Sequence, residues 1–340
     1  MAKNLSKKIR KNLQGRVRVI STNPIGNLTN RFLAAKSVVR VLFCFYFLLF
    51  LNDLTFIVSV FGRDAALSPP PIGFWLQVIG IDWSSVVIYT LYFISAITCI
   101  IWSHLRWARI TLFLSFLSSN TLKFSLGTVA HDTNGWIWLA FALIFLPSKD
   151  EKISERTYKY HYLSICWFAT AISLSIYTMS GIWKILMGLL YDGLVNGHTF
   201  FSSNAMSYHL ARYIFRNGYN LPSAEIVISN SWLGWPMLTG AVYMQFFAFW
   251  VPFRPLIFLP WLLMLASFHS LNIVLMNLPF NKQGFLAVLV LGGMPFLVKA
   301  KNLNQMIITL PLFGWLYKTF VTQIFKVQTI EVIRYDIERF

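Results

Sequence analysis

The sequence is short of charge. Charged residues make up 12% of its 340 positions, against roughly 25% in a soluble domain. So little polar surface cannot cover a water-soluble globule of this size, which excludes a cytosolic enzyme and a disordered chain. Acid is scarcer still. There are 12 Asp and Glu against 29 Lys and Arg, and the first acid is Asp53. Cysteine is nearly absent as well. Cys44, Cys99 and Cys166 each lie inside an apolar run, with no C-x-x-C spacing. That excludes a disulfide scaffold and gives no metal-ligand pattern. A cleavable signal peptide is not expected either, because the apolar stretch after the basic arm is too long and lacks a small-residue cleavage site.

What is plentiful is apolar: 56% of residues are hydrophobic and 17% aromatic. The fold class that follows is all-α, a polytopic bundle of membrane helices. A crossing helix needs about 20 mostly apolar residues, and on that measure about eight spans can be drawn. They run near 38–61, 84–103, 107–129, 134–147, 162–188, 226–251, 255–278 and 283–298. A ninth candidate, 306–325, is interrupted by Pro311 and Lys318 and reads as a surface segment leading to an amphipathic tail. The chain thus divides into a basic arm at 1–37, a bundle at 38–298 with an aromatic outer cap at 189–225, and a basic, amphipathic segment at 299–340.

The net charge of +17 reports topology. Ten of the basic residues fall in the first 40 positions, Arg40 being the last of them. With this arm inside, Arg106 and Arg109, the group from Lys149 to Lys159, Arg254, and Lys299 with Lys301 all fall in inside loops. Short basic loops mark the cytoplasmic side. The arm reads as a contact with membrane lipids, anionic ones included, and not as a nucleic-acid footprint. The chain is expected in a cell membrane as a multi-pass protein, a bacterial cytoplasmic membrane in the first instance.

Ionisable groups inside a bilayer are costly, at about 2.5–3.5 kcal/mol each on insertion scales, and therefore informative. Asp53 lies in the outer half of the first span. Lys123 lies in a third span rich in Ser and Thr. His131 belongs to the outer turn His131-Asp132-Thr133-Asn134-Gly135. Tyr177, Gly181 and Lys184 share one helix face at i, i+4 and i+7. His269 sits mid-span in Phe268-His269-Ser270-Leu271-Asn272. Each has a plain explanation in helix packing, snorkelling or turn chemistry. Together they could line one cavity open to the outer face. An amine among Trp183, Ile185 and Leu186 suits a base working near neutral pH.

These motifs resemble a known family. Tyr177-x3-Gly181-Ile182-x-Lys184-Ile185 followed by Tyr191-x-Gly193 is similar to a stretch of the vitamin K-dependent gamma-glutamyl carboxylases and of the HTTM (horizontally transferred transmembrane) proteins. Phe268-His269-x2-Asn272 followed by Leu278-Pro279-Phe280 resembles a second segment of that family. Arg40, the Leu67-Ser68-Pro69 turn and the stretch from His131 to Leu146-Pro147 also fit. The likeness runs over about residues 35–300. Two departures stand out: Tyr191 replaces the usual Trp, and the chain stops at 340, before the extracytoplasmic domain of those enzymes.

The resemblance implies a lysine base, Lys184, acting on a reduced vitamin K of menaquinol type, with O2 and CO2 as co-substrates. The implied enzyme is carboxylase- or epoxidase-like, a lyase or an oxidoreductase. His269 and His131 would position quinol oxygens, and Tyr177, Gly181, Asn272, Asp53, Lys123 and Arg40 would line the binding region. The shorter relatives imply the alternative, a non-catalytic maturation, export or immunity factor for a secreted peptide toxin, which would dock on the cap. Transport is a third class that midplane polar groups permit, though paired broken helices are not evident.

Overall fold

The computed structural model describes residues 18–19, 27–60, 71–126, 131–149, 153–192, 202–218, 221–278, 281–293, 306–307, 309–324 and 331–332. Among them the chain is helical, apart from a two-residue parallel pairing of Arg18–Val19 with Glu331–Val332. The turn at 67–69, Gly193 and the remainder of the cap to 201, the 279–280 pair, Lys299, Lys301 and most of the tail lie outside the described residues.

The first helix, α1, runs Leu28–Val60. It starts ten residues before the apolar stretch because Asn27 caps it, its Oδ1 accepting the Asn30 N–H at 2.9 Å. Arg31, Lys36 and Arg40 therefore ride on α1 itself. The short α2 (Trp75–Ile79) leads through Gly80, at φ 83°, into α3 (Ile81–Ile101). Then come α4 (Arg106–Ser125) and the ten-residue α5 (Asn134–Leu143). The long α6 (Glu155–Leu186) begins at a Ser154 cap that accepts the Thr157 N–H, and it runs on into a π-turn at Met187–Asp192.

The cap region holds α7 (Ala205–Asn217) and α8 (Pro222–Ser229). They share a small core, Leu210, Ala224 and Val227, with Leu275 from the bundle. The sixth expected span is not one straight helix. It divides at Asn230 into α8 and α9 (Ser231–Phe246), then tightens to a 3-10 turn at Ala248–Phe253. Next are α10 (Phe258–Met276), α11 (Asn281–Ala287) with its π-turn Val288–Gly293, and α12 (Phe313–Ile324). Asn277 ends α10 in the left-handed region, φ 49°, a common helix stop.

Among the described residues, four helices are long and apolar enough to cross a membrane: Leu28–Phe56, Ile81–Ile101, Glu155–Leu190 and Pro255–Met276. Length and apolarity thus mark a membrane-associated protein, helical in its described residues apart from that one short pairing. The other expected spans coincide with helices that are shorter or more polar. At about 1.5 Å per residue, α5 reaches roughly 15 Å, half of a bilayer core of about 30 Å. On the outside of the bundle, large apolar side chains face outward, Trp83 at 72% exposure and Leu263 at 61%. Inside, aromatic rings interlock: Tyr46 meets Phe116 and Trp136 edge-on, with centroids 5.4 and 5.5 Å apart.

Two of the basic loops meet helix ends through their side chains. Arg109 is buried and donates to the carbonyls of Ser103, Ile144 and Leu146, which joins two loops that sequence places on one side. Lys159 reaches Thr29 at the start of α1 at 3.1 Å.

Candidate functional site

Several of the polar residues singled out by sequence fall into two regions of the bundle, each held by hydrogen bonds. The first joins α1 to α4. Lys123 Nζ lies 2.6 Å from Asp53 Oδ2, and both side chains are buried. Each charge therefore has its partner, as a dry interior requires. The hydroxyl face of α4 is satisfied mostly within the helix. Ser115, Ser119, Thr121 and Ser125 donate back to carbonyls three or four residues earlier. Asn120 turns outward to the next element, its Oδ1 accepting the Thr133 hydroxyl at 2.7 Å.

The second cluster lies between α6, α9 and α10. The Tyr177 hydroxyl and His269 Nε2 are 2.8 Å apart, and Tyr177 also donates to the Gln283 carbonyl at 3.3 Å. A carbonyl only accepts. When Tyr177 donates to Gln283, His269 donates to the tyrosine oxygen; when Tyr177 donates to His269, the imidazole is the acceptor. About two helical turns further along, Lys184 Nζ donates to Ser180 Oγ and to Gln245 Oε1, both at 2.8 Å. Gly181 lies between them. A Cβ there would stand 2.5 Å from the Phe246 backbone nitrogen, so glycine is what lets α9 come this close. The space beside Gly181 is filled by backbone, which brings Gln245 to the lysine.

The first turn of α11 links the clusters. The Lys282 side chain pairs with Asp132 at 3.5 Å. Its carbonyl accepts the Trp136 indole N–H at 2.9 Å, and the neighbouring Gln283 carbonyl takes Tyr177. Trp136 is fully buried, and its own carbonyl accepts the Tyr46 hydroxyl at 2.6 Å.

The structure thus brings Asp53 to Lys123 and Tyr177 to His269, and it sets Gly181 and Lys184 against Gln245. Asn272 is half-buried one turn beyond His269, with its carbonyl accepting the Leu278 N–H. Arg40 is exposed, 13 residues before Asp53 on the same helix, about 20 Å away along the axis, and joins neither cluster. The backbone of His131 opens the 3-10 turn His131–Thr133, while its side chain lies outside the described residues. The described cavities open elsewhere, around Trp250 and Arg254. Among the described residues no three metal-binding side chains converge.

Sequence reading passed over Gln245, Gln283, Lys282 and Trp136. Gln245 carried a usable signal, a lone amide inside the apolar run Met244-Gln245-Phe246. The carbonyls of Lys282 and Gln283 carried none, since a main-chain acceptor has no residue type.

Chemically, the same helix carries an amine held by neutral oxygens and, about two turns away, a tyrosine–imidazole pair able to share a proton. The chain was compared with protein-family models, with characterised protein sequences and with solved structures, and it matches none of them.

Proposed function

We propose that this is a multi-pass membrane enzyme that uses Lys184 as a base on a lipid-soluble quinol. The observation that carries the reading is the setting of the amine. Among the described residues Lys184 meets only Ser180 Oγ and Gln245 Oε1, with no carboxylate at hand. Lys123 is tied to an acid and Lys184 is not, so Lys184 is the amine able to give and take a proton.

The second cluster suits a quinol by its donor set. The reduced cofactor supplies two ring hydroxyls and two electrons when bound. Lys184 takes the proton of one hydroxyl. Gln245 and Ser180 hold the amine in place. The Tyr177–His269 pair would position a quinol oxygen by hydrogen bonding. The surrounding apolar helices keep water from the site. The family resemblance, carried by Tyr177, Gly181, Lys184, His269 and Asn272, extends the proposal to carboxylase- or epoxidase-type chemistry with O2 and CO2 on a peptide or other membrane-delivered substrate.

The topology proposed with it has eight crossings and a cytoplasmic N-terminus in a cell membrane. Its support is that Arg109 joins two loops that sequence places on one side and Lys159 reaches the start of α1, with Asp53, Lys123 and Asp132 toward the other ends of their elements.

The test is quinol oxidation in membranes carrying Lys184→Ala or Lys184→Arg. Both are expected to fall by at least about 100-fold, the usual worth of a positioned base. Full activity in both variants would overturn the assignment. The alternative, a maturation factor for a secreted peptide, draws on the separately packed cap helices α7 and α8 and on Phe215, 90% exposed on α7. Removing the cap, 189–225, while keeping the spans would then abolish peptide processing and leave any quinol chemistry intact.

A further inference from the structure

The end of the molecule around Trp250 and Arg254 takes no part in the proposed chemistry, yet it is built around a cation. The Arg254 guanidinium lies over the Trp250 ring, 5.5 Å from its centroid, and its Nη1 donates to the Thr309 carbonyl at 2.5 Å. That contact ties the turn between α9 and α10 to the segment before α12. The side chain is fixed in direction by a ring on one face and a carbonyl at one edge, which is how an arginine is made ready for an anion.

Two cavities adjoin this pair. One, of about 270 Å³, lies between Arg254, Trp250 and the Leu310–Trp315 segment. The other, of about 470 Å³, is bordered by Phe249, Phe253 and the same Trp250–Arg254 pair. The rims are aromatic and outward-facing: Trp250, Phe249, Phe253 and Trp315 are each more than 40% exposed. Tryptophan is enriched at the depth where acyl chains give way to headgroups, and two of these exposed rings, Trp250 and Trp315, are tryptophans. Behind them, the Trp167 indole N–H bonds the Pro252 carbonyl at 3.1 Å, which anchors the turn to α6. An arginine at that depth, with an apolar slot beside it, matches a molecule having a phosphate at one end and a hydrocarbon chain at the other.

We propose that Arg254, Trp250 and Trp315 form a site for one anionic phospholipid, its phosphate on the guanidinium and an acyl chain in the slot bordered by Phe249 and Phe253. The guanidinium carries five N–H donors in a planar fork, so it can hold the Thr309 carbonyl and a phosphate oxygen together. The ligand is a phosphate ester; a lipid headgroup and free phosphate share that chemistry, and the hydrocarbon slot is what selects the lipid. The site is independent of the Lys184 assignment.

The experiment is native mass spectrometry of the full-length protein in detergent, titrated with phosphatidylglycerol, with phosphatidylcholine, or with inorganic phosphate. The wild type is expected to retain one phosphatidylglycerol in preference to phosphatidylcholine, and millimolar inorganic phosphate is expected not to displace it. Arg254→Gln should weaken retention about tenfold, as loss of a charge-assisted contact does, and Arg254→Lys by less. Trp315 is 65% exposed, so Trp315→Ala keeps the fold and provides a second measure; it should weaken retention several-fold. Equal retention of both lipids, unchanged retention in Arg254→Gln and Trp315→Ala, or displacement by inorganic phosphate would each overturn the proposal.

Discussion

Lys123 and Lys184 both sit within the helical bundle, on α4 and α6, and their surroundings differ in one respect. Lys123 closes on the Asp53 carboxylate at 2.6 Å, whereas Lys184 closes on two neutral oxygens at 2.8 Å. The first arrangement neutralises two charges and joins two helices. It leaves the amine committed. The second holds the amine in position without neutralising it and leaves its proton available. Two lysines that look alike in sequence thus differ in partner, one paired with a carboxylate and one held by neutral oxygens, and on the proposed function stability rests on the first and chemistry on the second. In a membrane protein, the partner of a polar group says more about its role than its presence in a span does.

The largest effect should come from breaking the committed pair. Lys123→Met leaves the Asp53 carboxylate buried without its cation, and removing one partner of a buried pair costs about 3–5 kcal/mol. Thermal unfolding of the detergent-solubilised protein measures it. The double variant Asp53→Asn with Lys123→Met should recover most of the loss, because no charge remains to be paired. If Lys123→Met proves milder than Lys184→Met, the division between the two lysines fails.

Next in size is Gly181→Ala. The added Cβ would meet the Phe246 nitrogen at 2.5 Å and the Gln245 carbonyl carbon at 2.9 Å, and backbone cannot step aside as a side chain can. A cost of about 1–3 kcal/mol is expected from such overpacking. Because α9 carries Gln245, the variant should also lose quinol oxidation although Lys184 is intact. Gly284→Ala is the control. Its Cβ would come no nearer than 3.9 Å to the His269 ring, an ordinary contact, and near-normal stability is expected. Lys184→Met should cost less than Lys123→Met, about 1–2 kcal/mol, because two hydrogen bonds are lost and no carboxylate is stranded. Its activity should nonetheless be abolished. A variant this close to wild type in melting temperature and this far from it in turnover is what a functional lysine predicts and a structural one does not.

Much of this contrast is legible in the sequence, and some is not. Tyr177, Gly181 and Lys184 share a face by helical spacing alone, and His269 stands out as the ionisable residue in the middle of its span. That Tyr177 meets His269 could not be read, because it depends on how α6 crosses α10. Asp53 and Lys123 are each conspicuous, yet their union depends on a contact between residues 70 positions apart. The segment 226–251 reads as one span because hydropathy averages over Asn230 and the turn before Arg254; backbone geometry divides it. The start of α1 is missed for a similar reason, since a cap residue and not apolarity begins that helix. Arg40 looks like part of the site when position along the chain is the only guide. On the helix it is exposed and far from Asp53.

The smallest expected effect tests whether the two lysine clusters communicate. Lys282 and Asp132 are 3.5 Å apart, with their side chains about a quarter exposed. A pair of that kind contributes at most about 1 kcal/mol, so Asp132→Asn should barely move the melting temperature. The same turn of α11, however, carries the carbonyls that receive Trp136 and Tyr177. Trp136 belongs with Tyr46 to the packing around α1 and α4, and Tyr177 belongs to the Lys184 side. If α11 merely fills space, turnover in Asp132→Asn should follow stability and stay near normal. If it sets the direction of the Tyr177 hydroxyl, turnover should fall several-fold while the melting temperature holds, and Lys282→Gln should reproduce the split. The ratio of the two readouts, not the size of either, decides between a passive helix and one that couples the committed lysine to the available one.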